Sequence, residues 1–454
     1  MSSVKTEIHV LSSDISPEEY LHMGAAMIRK LNIPTHRTLN LRFGSRKLEV
    51  QVTPLPRSSK NVLRMTESIA DSLGLAHGDI LRIRYDVRTK TITLGPVIGV
   101  MLPSMSDSLD RPFGNVTAFC KELHGASLNY GGLVYFFTPD GIAESDVDGL
   151  RYASQRFKRM RFPIPDIVYN RLTTRRLENK DSVQQFFLHV KSRHNGYVFN
   201  EKFLDKNDVF SALAREPAIR RLLPESHLFT KYEQLNNMCK RYGCVFLKPV
   251  TGSLGKGIIR VSRQGDRIVC QFASVNGSLR KTYPSLQKAF PTIKSKVQGK
   301  RYLIQQGLAL ITVQDRPVDF RALVQKNQRN IWSITSIVGR IANSQSFVSN
   351  VARGGKLCAA RLALMQSNLP THLAASVYVT LKKAALDIAQ VLDHEMPYHF
   401  AELGIDLAVD TTGRVWLLEV NSKPSKMDGT PLSVGKIRPS VKKMLLYSRA
   451  LSGM

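Results

Sequence analysis

The chain has 454 residues, 43% of them hydrophobic, enough for about two to four domains with real cores. Its formal net charge of +29 points to anionic partners: nucleic acid, acidic polymers, cell-wall material or nucleotide phosphates. No apolar run reaches the ~18 residues of a membrane-spanning helix, and MSSVKTEIHVLSSDISPEEY lacks the basic-then-apolar order of a secretory signal. The cysteines Cys120, Cys239, Cys244, Cys270 and Cys358 are odd in number and scattered, which reads as reduced thiols in a cytoplasmic protein.

Residues 1–37 are poorly patterned, although Ser16 as cap and Pro17 at the first helical position predict a short helix. From 38 to 95, short alternating runs (TLNLRF, KLEVQVT, DILRIRY, KTITL) bounded by turn residues predict a small β-rich N-terminal domain over 1–95. One short helix at Glu67–Leu73, stopped by Gly74, interrupts it. No internal repeat is visible. Residues 96–200 read as an α/β unit: strand Val97–Leu102, helix Val116–Leu128 and strand Leu133–Phe137 have the spacing of a parallel crossover. In FPIPDIVYNR two prolines impose an extended path, and Arg171 is either a bidentate carboxylate binder or part of a capped linker. Residues 151–180 hold nine Arg or Lys against Asp166 and Glu178, a solvated basic face or an anion-binding one.

Asp205-Lys206 heads a predicted helix that ends before Pro224. In GCVFLKPVTGSLGKGIIRV, a strand carrying Lys248 at its end leads into Gly252-Ser253-Leu-Gly255-Lys256-Gly257 and then a second strand. Glycines let several N–H groups turn toward one anion. The loop runs strand to strand, so it is a hairpin flap over phosphates, or a plain glycine turn, and not a Walker A loop. GKRYLIQQGL predicts a strand ending in Gln305-Gln306, and Val318–Val324, Ile331–Val338 and Phe347–Asn350 predict further strands with Arg321 and Arg340 along them. Leu373, Val377, Leu381, Ala384, Ile388 and Val391 mark one apolar face of a helix over 371–393.

Asp406 then lies in an alternating strand, Asp410–Gly413 is a turn, and the return strand carries Glu419 and Asn421 on one face. A hairpin sets Asp406 beside them, giving two carboxylates and an amide oxygen, hard ligands suited to Mg²⁺. Residues 431–454 read as a basic tail, with a helix over Val441–Leu446; from Leu432 onward it holds five basic residues and no acid.

Lys248 with its glycine loop, followed by Asp406, Glu419 and Asn421, resembles the ATP-grasp fold. Within it, FPIPDIVYNR, LKPVTGSLGKGI and ELGIDLAVDTTGRVWLLEVNSKP resemble the YheC/YheD endospore coat-associated family. The resemblance implies an α/β (α+β) architecture, with the nucleotide domain over 201–430 preceded by the α/β unit and the small β-rich domain. It implies ATP and one or two Mg²⁺ ions as cofactors. Lys206 and Lys248 would contact phosphates, and Gly252, Ser253, Gly255, Lys256 and Gly257 would cover them. The backbone at Gln305 and Gln306 would read the adenine edge. Asp406, Glu419 and Asn421 would hold metal, and Arg321 and Arg340 would stabilise the transferring group. The implied activity is ATP-dependent joining of a carboxylate to an amine or thiol through an acylphosphate, the acceptor favoured as acidic by the basic surface. The alternative is a non-catalytic ATP-binding scaffold of a spore coat or other anionic surface. No ordered basic and aromatic stripe of a nucleic-acid module is present, so nucleic acid enters only as a non-specific partner.

Overall fold

A computed structural model describes every residue except 1–2, 13–19, 56–60, 252–255, 275–276, 343–354 and 427–435. The helix start expected at Ser16 and Pro17 and the strand expected at Phe347–Asn350 lie outside the described residues; Tyr20 and Leu21, expected to continue that helix, lie in a strand. Residues 4–95 form a closed barrel in the order Val4–Leu11, Val62–Thr66, Tyr20–Gly24, Arg46–Leu55, Thr38–Phe43, Thr91–Gly95, Ile80–Asp86. Alternation drives it: Leu81, Ile83 and Tyr85 point inward from the last of these strands while their neighbours face out.

The barrel corrects one expectation, because its path is repeated. Strand Tyr20–Gly24, helix Ala25–Leu31 and strands Thr38–Phe43 and Arg46–Leu55 recur as Val62–Thr66, Glu67–Leu73, Ile80–Asp86 and Thr91–Gly95. Met27, Ile28, Leu31 and Ile33 are buried as Ile69, Ala70, Leu73 and Leu75 are. Both helices end in a left-handed residue, Asn32 at φ 55° and Gly74 at φ 69°. What recurs is hydrophobic spacing and the cap; few side chains are identical, and so the sequence hides it.

A second sheet carries four parallel strands in the order Leu133–Phe137, Val97–Met101, Ile167–Asn170, Tyr197–Phe199. Helices Thr117–Tyr130 and Asp181–His194 make the crossovers, and the hairpin Asp146–Ala153/Arg156–Pro163 extends one edge. The chain leaves the strand Val97–Met101 on one side and returns on its other side. The crevice at a topological switch point therefore opens beyond Met101 and Asn170. Barrel and sheet share one apolar core, and buried Arg151 ties them by donating to Asp79 Oδ2 at 3.0 Å and to the Gly74 carbonyl at 3.1 Å. The expected basic tail is part of the opposite core. Helix Pro439–Leu451 packs Val441, Met444, Leu445 and Tyr447 with Phe119, Cys120 and Leu123. Lys442 stays on the outer face, while Lys443 turns in to donate to Ser333 Oγ and the Ile334 carbonyl, both at 2.9 Å, so the predicted helix docks on the core where a tail was expected.

Two antiparallel sheets follow. The first orders Ser226–Phe229, Tyr302–Gln306, Cys244–Pro249, Ile259–Gln264, Arg267–Ser274 and Gly277–Tyr283, backed by helices Tyr232–Tyr242 and Leu286–Val297. The second orders Lys356–Ala359, Trp332–Ile341, Arg316–Lys326, Glu402–Val409 and Val415–Asn421. Helix Ala374–Glu395, predicted from its apolar face, and helix Lys206–Ala214 share its core. Among the described residues no helix is long and apolar enough to cross a membrane.

Candidate active site

The C-terminal hairpin forms as its alternation requires. Asp410 Oδ1 accepts from Thr412 N at 2.9 Å, and Gly413 takes φ 87°, closing the turn. In register Asp406 stands opposite Glu419 and Gly404 opposite Asn421, so the three expected oxygen donors lie along one pair of strands. On its other side Asp406 stands opposite Arg321, and Asp319 of the same neighbouring strand stands opposite Arg340.

These side chains form one charge network. Arg321 grips Asp406 through Nε to Oδ1 and through Nη2 to Oδ2, the latter at 3.0 Å. Arg340 donates to Asp319 at 2.5 and 2.9 Å and approaches Asp406 Oδ1 at 3.2 Å. Burial alone would raise the Asp406 carboxyl, but the two guanidinium groups outweigh it and hold it below the usual aspartate value. Arg340 stays charged for the same reason in reverse: burial disfavours the cation, and Asp406 and Asp319 more than offset that. Glu419 Oε1 meets Lys206 Nζ at 3.1 Å. Lys206 sits at the first position of its helix, whose Asp205 cap accepts from Asn207 N at 2.8 Å.

Lys248 comes from the other sheet. Its strand pairs antiparallel with Ile259–Gln264, so the glycine segment does link two strands of a hairpin. Burial pushes its ammonium down to about 8; Lys206 adds to the shift, and Glu419 and Asp406 oppose it. That coupling puts Lys248 in electrostatic reach of all three. Its Nζ donates to Gln305 Oε1 at 2.5 Å. Gly252, Ser253 and Gly255 lie outside the described residues. Lys256 is exposed, and Gly257 holds φ 75° with its carbonyl accepting from the Tyr302 hydroxyl at 3.2 Å.

Gln306 and Arg171 are placed differently from expectation. Gln305 Nε2 donates to Ser226 Oγ at 2.9 Å, and Gln306 Oε1 accepts from Glu225 N at 2.7 Å. The Gln306 N–H also goes to the Glu225 carbonyl, at 2.9 Å, so it is spent within the sheet and not offered to an adenine edge. Arg171 is not open to a substrate: Nη1 pairs with buried Glu402 at 3.3 Å and Nη2 donates to the Pro424 carbonyl at 2.8 Å. Sequence reading missed Glu402 and the lysines Lys423 and Lys426 just after the donors. Lys426 Nζ meets Glu402 Oε2 at 2.5 Å, and Lys423 pairs with buried Glu178. The signal available was a pair of lysines flanking a proline, which reads as surface until partners from elsewhere are known.

Glu419, Asn421 and Lys206 border a cleft of about 350 Å³, with Thr173, Arg175, Phe203 and Lys423 on its other walls. The donor set is all oxygen, as a hard divalent cation requires. Asp406 Oδ2 accepts one arginine bond, and a carboxylate oxygen offers two acceptor directions, so the residues fit such an ion.

The sequence model of the YheC/D-like ATP-grasp family matches residues 195–451. The chain belongs to that family. It is 27% identical over 397 residues to endospore coat-associated protein YheD of Bacillus subtilis (strain 168), covering 86% of this chain and 85% of that protein. It is 23% identical over 337 residues to endospore coat-associated protein YheC of the same organism, covering 72% and 89%. Among solved structures it is similar to the ATP-grasp ligase PsnB complexed with minimal precursor (TM-score 0.46, 12% identity, 78% of this chain and 99% of that one). It is also similar to D-alanyl-alanine synthetase A from Vibrio cholerae (TM-score 0.42, 14% identity, 79% and 100%). Family membership makes this an α/β ATP-grasp protein.

Proposed function

We propose that the protein is an ATP-dependent ligase that activates a carboxylate as its acylphosphate and passes the acyl group to an amine or thiol. The observation that carries this reading is the confrontation of Asp406 and Glu419, opposed in register, with Lys206 and Lys248. A carboxylate oxygen attacks the γ-phosphorus of ATP, ADP departs, and the nucleophile then displaces phosphate from the acyl carbon. Such chemistry asks the protein for charge neutralisation and in-line placement. Lys206 and Lys248 bind phosphate oxygens, with Lys256 and the glycine segment covering them. Asp406, Glu419 and Asn421 are the residues to hold Mg²⁺, which when bound offsets charge on the transferring group. Arg321 and Arg340 keep Asp406 ionised and lie beside it, where positive charge favours the developing phosphoryl anion.

The competing reading is a nucleotide-binding scaffold of a coat or other anionic surface. What favours it is that both Asp406 oxygens already sit in guanidinium bonds. The two part in one experiment: protein with Mg·ATP and a metabolite extract, read for ADP and for a condensation product by mass spectrometry. Product that disappears in Asp406→Asn and Glu419→Gln supports the ligase. Thermal stabilisation by Mg·ATP with no ADP under any extract supports the scaffold.

A further inference from the structure

The cleft beside Glu419 has a feature the phosphate and metal roles leave unused. Its far wall is the segment Thr173–Arg175, which is separated by two residues from the end of the strand Ile167–Asn170. That places it at the carboxyl end of a switch-point strand, where open α/β sheets take their ligands. Arg175 is half-buried there. Its guanidinium lies over the Phe203 ring at 5.3 Å, and Nη2 donates to the Leu204 carbonyl at 2.6 Å. Ring and carbonyl fix the plane of the fork without consuming its charge.

The other cations of the cleft are differently placed. Lys206 is paired with Glu419, and Lys423, 4.2 Å from the same Phe203 ring, is paired with Glu178. Arg175 has no carboxylate partner among the described residues. A held guanidinium with an unneutralised charge, opening into a polar cleft, matches the planar two-oxygen geometry of a carboxylate.

We propose that Arg175 anchors a second carboxylate of the acid that is activated, so that this substrate is a dicarboxylic acid and not a simple monocarboxylic one. This rests on the ligase reading: the reacting carboxylate lies at the Lys206–Asn421 end of the cleft and the second at the Arg175 end. Phe203 covers the methylenes between them. Thr173, exposed on the same wall, supplies a hydroxyl to the anchored group.

The test uses glutarate and valerate, acids of equal chain length that differ by one carboxylate. Each is titrated by thermal shift into the full-length protein, with and without Mg·ADP. Glutarate should raise the melting temperature and valerate should not. In Arg175→Ala the half-maximal glutarate concentration should rise at least about tenfold, the weight of one charged bidentate contact. Arg175→Lys, which keeps the charge and loses the fork, should fall between. Stabilisation by Mg·ADP should be unchanged in both variants, which shows they fold. Equal responses to glutarate and valerate, or an undiminished glutarate response in Arg175→Ala, overturns the proposal. Absence of any Mg·ADP shift overturns the nucleotide reading instead, and the nucleotide-free arm still decides Arg175.

Discussion

Replacing Lys248 by Met tests the electrostatics of the site at its centre. At neutral pH Lys248 is protonated folded and unfolded, but its folded value is about 8 against an ordinary 10.5. At about 1.4 kcal/mol per unit, keeping the charge costs the empty fold at most about 3 kcal/mol. Lys248 is half-buried, so screening trims this ceiling to about 2 kcal/mol. Met keeps the apolar stem and strands Gln305 Oε1, a loss of about 1 kcal/mol. A net gain of about 1 kcal/mol is expected near pH 7, with Mg·ATP stabilisation lost. Between pH 8 and 10.5 the unfolded lysine holds a proton that the folded one has released, so wild-type stability rises with pH relative to the variant. The variant's advantage should therefore shrink by about 2 kcal/mol across that window and reverse sign at its upper end. Urea unfolding of both proteins at several pH values measures it, their shared groups cancelling in the difference. A stability gap that does not change with pH would refute the burial argument, because Lys248 would then titrate as an ordinary surface lysine.

Four further outcomes are expected. Asp406→Asn and Glu419→Gln should each abolish Mg-dependent ADP release while far-UV circular dichroism stays unchanged; release at the wild-type rate in either removes that residue from the metal set. Lys426→Ala should destabilise the chain by about 3 kcal/mol in urea unfolding, the low end for breaking a buried pair, because Glu402 keeps Arg171 at 3.3 Å and Gln325 at 3.2 Å. His399 is held down to about 4 by burial, against 6.5, so it stays neutral in the fold and gains a proton on unfolding. The stability it supports is full above 6.5 and lost as pH falls through 4, and His399→Gln should flatten the unfolding free energy over that window. Gly339→Ala should cost about 1–3 kcal/mol, since the added Cβ would lie 2.6 Å from the Ala363 Cβ across a packed sheet–helix contact; a wild-type melting temperature would contradict that packing.

The elements with strong local patterning were legible in the chain, the hairpin that carries the oxygen donors among them. Leu133–Phe137 and Glu67–Leu73 fall where apolar runs and a following glycine place them, and the hairpin of Asp406 and Glu419 follows from alternation on either side of Asp410–Gly413. What the chain by itself determined is thus these locally patterned elements, the spacing of the oxygen donors and the family, while strands such as Val4–Leu11 and helices such as Tyr232–Tyr242 went unread. Only the tertiary structure decided which charges neutralise which. Arg171 reads as a substrate arginine until Glu402 arrives from more than two hundred residues away, and Lys423 reads as a surface lysine until Glu178 meets it. A side chain's charge is fixed by its identity, but its availability depends on partners that only folding brings within a few ångströms. For the same reason Arg175, one more basic residue in a basic stretch, becomes a candidate anchor only when Phe203 and Leu204 hold its guanidinium on the wall of the cleft.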